Sequence, residues 1–411
     1  MLKGSHKVGL VLIFCYLVAW LDRMAINMTI PFIAKDLNIG PDKMGWILSA
    51  FFLGYALFQI PGGLLADKFG PRKVIMVALS WWSVFTALTG MTSSLINMLI
   101  VRFLFGIGEG IFPAAVWKVL GSWFTKKNRT TANALVISAI AMGPALTPLI
   151  LAPLIAKYGW RFCFYLLGIL GIICVLLAKR YIYNTIQEGP SISQSEKDEY
   201  EIDLKSQEAN IEKSLEHTTF KDLIKEPMIW AFSIFGLFYN IGMYGWLTWL
   251  PTYLIKVKNL DLTSMAFAAS IPFIFATIGC MSAGFISDKY FRGKRKILIV
   301  ACSFIGSLCL FLFTNIDNVT AYMIMQCIAG FTLFMAASAF WALPLTILPT
   351  KLMGSGSGFI NTGGQVGGFV TNIIIGYVIT WTGNYSSGFI VMIGSIIIAT
   401  FILILFIKER K

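Results

Sequence analysis

Residues 63–73 read GLLADKFGPRK, and residues 284–296 read GFISDKYFRGKRK. Each is a short basic turn that closes a long apolar run. Extending the match outward, Arg102-FLFG106 aligns with Gln326-CIAG330, and Trp117 then falls on Trp341. A unit repeated once in the same direction predicts two halves of like construction, with a site near the membrane midplane between them.

The runs around these turns set the class. Apolar stretches cover 8–30, 45–66, 74–92, 95–119, 131–155 and 162–182 in the first half. The second half has 228–254, 264–287, 296–314, 319–343, 355–380 and 386–407. Each has roughly the 20 residues that a helix needs to cross a bilayer. The sequence therefore predicts an all-α membrane protein of twelve transmembrane helices in two six-helix bundles, 1–182 and 227–411. The chain is 57% hydrophobic and only 13% charged, with mean hydropathy +0.75, too little polar surface to cover a water-soluble body. Residues 8–30 are too long, and too charged at their centre, for a cleaved signal peptide. The formal net charge of +13 reads as cytoplasmic Lys and Arg, not as a nucleic-acid surface. The seven Cys fall in apolar runs without metal-ligand spacing, so no metal is expected.

Basic residues in short loops orient the chain. One side collects Lys68, Arg72, Lys73, Lys126, Lys127, Arg129 and the basic run that ends at Lys296. The other has Lys35, Lys43, Lys157, Arg161, Lys256 and Lys258. The first side is the richer, which places both termini in the cytoplasm. The segment 183–226 joins them there. It carries eleven of the twenty Asp and Glu and no sustained apolar stripe, and so reads as a solvated linker.

Away from helix ends, the spans hold four ionisable groups: Asp22 and Arg23 on the first, Arg102 and Glu109 on the fourth. A charge deep in lipid costs at least ~2.5 kcal/mol, which makes function the default reading. Arg102 and Glu109 share a helix face but lie ~10.5 Å apart along the axis. Each is therefore expected to meet the first helix, through Asp22 with Arg102 or Arg23 with Glu109. A structural salt-bridge cluster is one reading of these groups. The other is a proton relay with an anion anchor. A carboxylate that meets Arg in one state and an apolar wall in another loads and releases a proton. An Arg offers two parallel donors to a solute carboxylate. The second half has no such charge. Its cavity candidates, Ser338, Trp341, Asn361 and Gln365, are neutral, which predicts a division between coupling in the first half and selectivity in the second.

The loop at 63–73 resembles the signature of the major facilitator superfamily, and the likeness covers essentially the whole chain. It implies a conformational gating loop made by Gly63, Asp67, Gly70 and Arg72, with Asp288 in the second copy. Asp67 would cap or pair across neighbouring helix ends. The Asp22-Arg23 pair, the R-x6-E-G run from Arg102 to Gly110, and TWLPTYL at 248–254 resemble the anion:cation symporter branch. That branch includes bacterial sugar-acid and phthalate permeases and the vesicular glutamate and sialic acid carriers. The resemblance implies proton coupling at Asp22 and Glu109 with Arg102 beside them, and carboxylate binding by Arg23. It also implies that Tyr55, Ser338, Trp341 and Asn361 bind sugar hydroxyls. Trp20 stands at a substrate-facing position where the sugar-acid permeases commonly have Tyr. An indole only donates, so the substrate is left open within the branch.

The implied protein is a proton-coupled symporter of a bacterial inner membrane. It imports a small organic anion by alternating access, as a monomer, with the proton as coupling ion and no other cofactor. Other anions stay open within that class: a carboxylate siderophore, an acidic amino acid, or an organophosphate exchanged for phosphate. A non-transporting sensor is a further alternative. A membrane enzyme is disfavoured, because His6 and His217, the two histidines, lie outside the spans. The glycines at 354, 356, 358, 363, 364, 367 and 368 are expected to allow close helix crossing.

Overall fold

The computed structural model describes residues 4–189, 192, 194, 196–198, 200–202, 225–291, 294–347 and 353–407. Within these, the side chains of 4, 126–131, 133, 134, 137, 141, 288, 345–347 and 353–355 are not described.

Twelve long helices are found among the described residues, and no strand. They are α1 (Gly4–Asp36), α2 (Pro41–Phe69), α3 (Pro71–Met91), α4 (Leu95–Trp123), α5 (Lys126–Tyr158), α6 (Trp160–Tyr181), α7 (Pro227–Lys256), α8 (Leu262–Tyr290), α9 (Arg295–Asn315), α10 (Val319–Ile347), α11 (Met353–Thr382) and α12 (Ser386–Phe406). Eleven are long and apolar enough to cross a membrane; α5 contributes a shorter apolar stretch, Met142–Tyr158. Several helices outrun the apolar runs, because a helix continues past the bilayer while its backbone bonds are met. At 33 residues, α1 is about 50 Å long.

Local chemistry fixes the joints. Gly70 has φ +83°, a conformation that L side chains resist, and Pro71 opens α3 where its missing N–H is no loss. Ser94 caps α4 by accepting from the Asn97 N–H at 3.3 Å. Asp261 caps α8 by accepting from the N–H groups of Thr263 and Ser264 at 3.0 and 3.3 Å.

The chain divides into two compact units. Unit 1 holds 1–25, 53–143 and 158–216; unit 2 holds 26–52, 144–157 and 217–411. In unit 1, α3 packs on α4 and α6. The described part of 183–202 belongs to this unit and is tied down. Trp123 donates to the Tyr183 carbonyl at 2.9 Å, Tyr200 to the Gly121 carbonyl at 3.0 Å, and the Ser5 hydroxyl to Glu196 at 2.8 Å. In unit 2, α7 packs on α11 and α12, and α10 packs on α8 and α9. The 41–52 part of α2 is also built into unit 2: Ser49 donates to the Phe369 carbonyl at 2.6 Å, and Gly376 touches the Pro41 carbonyl.

Candidate functional site

Glycines bring the site's helices together in unit 1. A Cβ built on Gly110 would meet the Tyr55 carbonyl at 2.5 Å; one on Gly62 would meet the Ile111 Cα at 2.6 Å; and one on Gly54 would collide with the Phe103 carbonyl. These are backbone atoms, so no side-chain motion relieves the clash. The α2–α4 crossing is that close because these positions lack a side chain. It sets Tyr55 of α2 beside Glu109 of α4. The expected motif residue Gly63 is different: its nearest neighbour is the Ala114 Cβ at 3.9 Å, an ordinary contact.

Arg23 of α1 reaches into this seam. Its Nε and Nη2 both donate to Glu109 Oε2, at 3.0 and 2.7 Å. Its guanidinium carbon lies 4.5 Å from the centre of the Trp20 ring and 4.6 Å from that of Tyr55. The cation is therefore flanked by two aromatic faces, and indole is the strongest of such partners. Of the two cross-helix pairings open to the sequence, this is the one formed by hydrogen bonds. The Glu109 Oε1 atom is buried with no hydrogen-bond partner among the described residues.

Asp22 sits one residue away and is 1% exposed. Its Oδ2 accepts from the Thr86 hydroxyl of α3 at 3.3 Å, and its Oδ1 is buried with no hydrogen-bond partner among the described residues. Glu109 and Arg102 act on it through space. Arg102 is fully buried, with its guanidinium carbon 4.4 Å over the Phe105 ring. Unit 1 thus gathers Trp20, Asp22, Arg23, Tyr55, Arg102 and Glu109.

Of the residues expected to form a gating loop, Gly63 and Asp67 stand near the end of α2, Gly70 at the joint and Arg72 at the start of α3, all in unit 1. Lys118 donates to Asp67 at 2.7 Å and to the Ala66 carbonyl at 3.0 Å, so Asp67 pairs across two helix ends. Arg72 donates to the Lys179 carbonyl at 2.9 Å and lies over the Tyr183 ring. Gly70 leaves room for Asn184, whose Oδ1 a Cβ would meet at 2.6 Å. Asp288 belongs to α8, but its side chain lies outside the described residues.

The unit 2 candidates are less tightly drawn. Ser338 and Asn361 are half-buried, and Trp341 is exposed, its ring 5.8 Å from that of Phe340. The Ser338 hydroxyl lies within hydrogen-bond reach of the Cys280 thiol. A buried polar hub that sequence reasoning missed is Asn372. It accepts from Thr248 and Trp249 at 2.7 and 3.1 Å and donates to the Gly368 carbonyl at 3.3 Å. Thr248 and Trp249 stand in the quoted TWLPTYL run, but nothing in the spacing pointed to Asn372 on α11. Gly363 and Gly367 do bring α11 onto α7, at the carbonyls of Ser233 and Leu237. Gly358 instead faces open space, so its expected crossing role fails.

Comparison with known proteins gives this geometry a family. A model of the Major Facilitator Superfamily matches residues 12–372. The hexuronate transporter of Bacillus subtilis is 28% identical over 99% of this chain and 95% of its own. The probable sulfoacetate transporter SauU of Cupriavidus necator is 30% identical over 95% of this chain and 91% of its own. A solved D-xylose-proton symporter superposes with a TM-score of 0.79 at 14% identity, covering 98% of each chain. That likeness speaks to the fold.

Proposed function

Because the chain belongs to the Major Facilitator Superfamily and is a multi-pass membrane transporter, we propose that it carries a small organic acid anion together with protons. The reading rests on one observation: a buried cluster with two guanidinium groups, one carboxylate paired to Arg23, and a second carboxylate whose hydrogen-bond partner is a hydroxyl. With Asp22 ionised, Arg23, Arg102, Glu109 and Asp22 sum to zero. With Asp22 protonated they sum to one positive charge. An uncompensated buried charge is costly, so taking up a proton there favours taking up an anion.

Glu109 acts on the same balance from the other side. It holds the donors of Arg23 that a solute carboxylate would use. Protonating Glu109 removes the charge that holds Arg23 and turns a strong ion pair into a weak hydrogen bond, which frees the guanidinium for the solute. Trp20 and Tyr55 keep the guanidinium in place during that exchange of partners. Two protonation steps and one carboxylate thus share a single cation.

The substrate class follows from chemistry and kinship together. Arg23 suits a carboxylate or sulfonate, and the relatives described above are named for hexuronate and sulfoacetate. Import by alternating access across a bacterial inner membrane, as a monomer, completes the reading. Purified protein in liposomes, offered D-glucuronate, D-glucarate, L-galactonate and sulfoacetate in turn, tests it. An inward proton gradient should drive accumulation of at least one of these acids above equilibrium. Flux of every acid that ignores the gradient would reject proton coupling, and no flux of any acid would reject the class.

A further inference from the structure

Four hydroxyls recur along α3 and its end: Ser83, Thr86, Thr89 and Thr92, all buried. In an apolar helix, such a hydroxyl settles by default on a backbone carbonyl three or four residues back. Three of them do so. Ser83 donates to the Leu79 carbonyl at 2.6 Å, Thr89 to that of Phe85 at 2.8 Å, and Thr92 to that of Thr89 at 2.8 Å. Thr86 turns away from its own helix and donates to Asp22. Its side chain is 2% exposed, so water does not take over this part.

We propose that Thr86 is the positioning residue for the proton on Asp22. A hydroxyl is one donor and two acceptors, and it rotates. It donates to the carboxylate when Asp22 is ionised, and it accepts from the carboxyl O–H when Asp22 is protonated. One side chain thereby serves both ends of the proton step with no rearrangement of the helices. It does not serve them equally. A bond to an ionised acceptor is roughly twice as strong as a neutral one and shorter, about 2.5–2.7 Å. The 3.3 Å contact leaves room for the hydroxyl to draw in when the proton leaves. The charged groups that act on Asp22 are Glu109 and Arg102 from α4; Arg23, next to it on α1, is bonded to Glu109. At this depth α3 brings Thr86 and no ionisable side chain.

The inference rests on the proton-coupled reading and deepens it. Its test needs no substrate. The Asp22 carboxyl is followed by infrared difference titration of the purified protein, with the Asp22→Asn variant as the blank. In Thr86→Val, loss of the donor should move the Asp22 midpoint to higher pH by about half to one unit, or three- to tenfold in proton concentration. The carboxyl C=O band should also shift. Thr86→Ser should restore the native midpoint. If Thr86→Val does not accumulate, Thr86→Ala carries the same readout. An unmoved midpoint in the variant overturns the inference, as does a serine variant that shifts as far as valine. Liposome uptake by the native protein separates the two levels. Uptake that ignores pH while Asp22 titrates overturns the coupling reading and, with it, this role. Uptake that follows pH, beside an unmoved midpoint in the valine variant, overturns the Thr86 inference alone.

Discussion

The buried polar centre of unit 1 is ionic and that of unit 2 is neutral, although the sequence around 63–73 and Arg102 recurs around 284–296 and Gln326. Arg102 aligns with Gln326, which accepts from Trp246 at 3.3 Å. Where unit 1 has Arg23 bound to Glu109, unit 2 has Asn372 meeting two donors and a carbonyl. The spare valences differ as well. In unit 1, Asp22 Oδ1 and Glu109 Oε1 are buried carboxylate oxygens with no hydrogen-bond partner among the described residues. Among the described residues of unit 2, buried side-chain atoms without a hydrogen-bond partner include the neutral amide atoms Gln365 Oε1 and Gln326 Nε2 and the hydroxyls of Thr252 and Ser270. The Asn372 hub is a filled neutral network of the kind that stiffens a core; a charged and partly filled centre is where partners change. On the proposed function, the Asn372 hub belongs to a fixed frame and the ionic centre of unit 1 is where partners exchange.

The comparison breaks most sharply at Arg23. Arg23→Ala should lower uptake of an acid anion at least ~100-fold, because it removes the anchor and strands a buried Glu109. Retained uptake, measured in liposomes, would mean that the ionic centre does not bind the solute. Glu109→Gln is the next step down. It should preserve exchange of labelled for unlabelled acid across the membrane and abolish accumulation driven by a proton gradient. Accumulation at the native level would remove Glu109 from coupling.

Unit 2 should answer in stability instead. Asn372→Ala leaves the Trp249 N–H without its acceptor, while the Thr248 hydroxyl keeps the Tyr244 carbonyl at 2.6 Å, a loss of about 1–3 kcal/mol by the usual penalty for an orphaned buried donor. The loss should be the same at every pH, since no group in the hub titrates. A pH-dependent loss, read by thermal melting in detergent, would show a hidden link to the ionic centre. The glycine seam gives a smaller pair of effects. Gly110→Ala should destabilise by about 1–3 kcal/mol, because its Cβ meets backbone. Gly394→Ala, with nothing within 4 Å, should be neutral or slightly stabilising.

Much of this was legible in the sequence because lipid makes a few rules strict. Charges inside apolar runs are rare enough to mark a site unaided, and Asp22, Arg23, Arg102 and Glu109 were found that way. The repeat of the 63–73 turn raised the expectation of two like halves. Less legible were residues whose value depends on direction. Thr86 is one of many hydroxyls on apolar helices, and only its turn away from the Trp82 carbonyl distinguishes it. Asn372 looks like any helical amide until Thr248 and Trp249 are seen pointing at it. Gly62 was hidden behind the motif residue Gly63, since sequence shows which positions lack a side chain but not which face meets the next helix. The segment 183–226 read as solvated from its charge, yet Ile186, Glu196 and Tyr200 in its described part are buried in unit 1, while 203–224 lie outside the described residues. Charge density describes a segment's average and misses a few anchoring side chains.

The smallest effect sharpens the comparison through a carboxylate of the other kind. Asp261 of unit 2 lies at the start of α8, outside the spanning part, and is solvent-facing. The Ser264 hydroxyl, with the N–H groups of Ser264 and Thr263, holds its carboxyl below the usual carboxylate range. A group depressed in the folded state contributes stability that is present above its unfolded pKa, about 3.9. That contribution is lost as the pH falls through the lower folded value. Asp261→Ala should therefore melt slightly below the native protein at neutral pH, and the gap should close in acid. It should leave the pH dependence of uptake unchanged, since the cap takes no part in exchanging protons with the solute. A gap that widened in acid would reverse the sign of the argument. A displaced uptake profile would mean that a carboxylate at the surface of unit 2 shares the work assigned to Asp22 and Glu109.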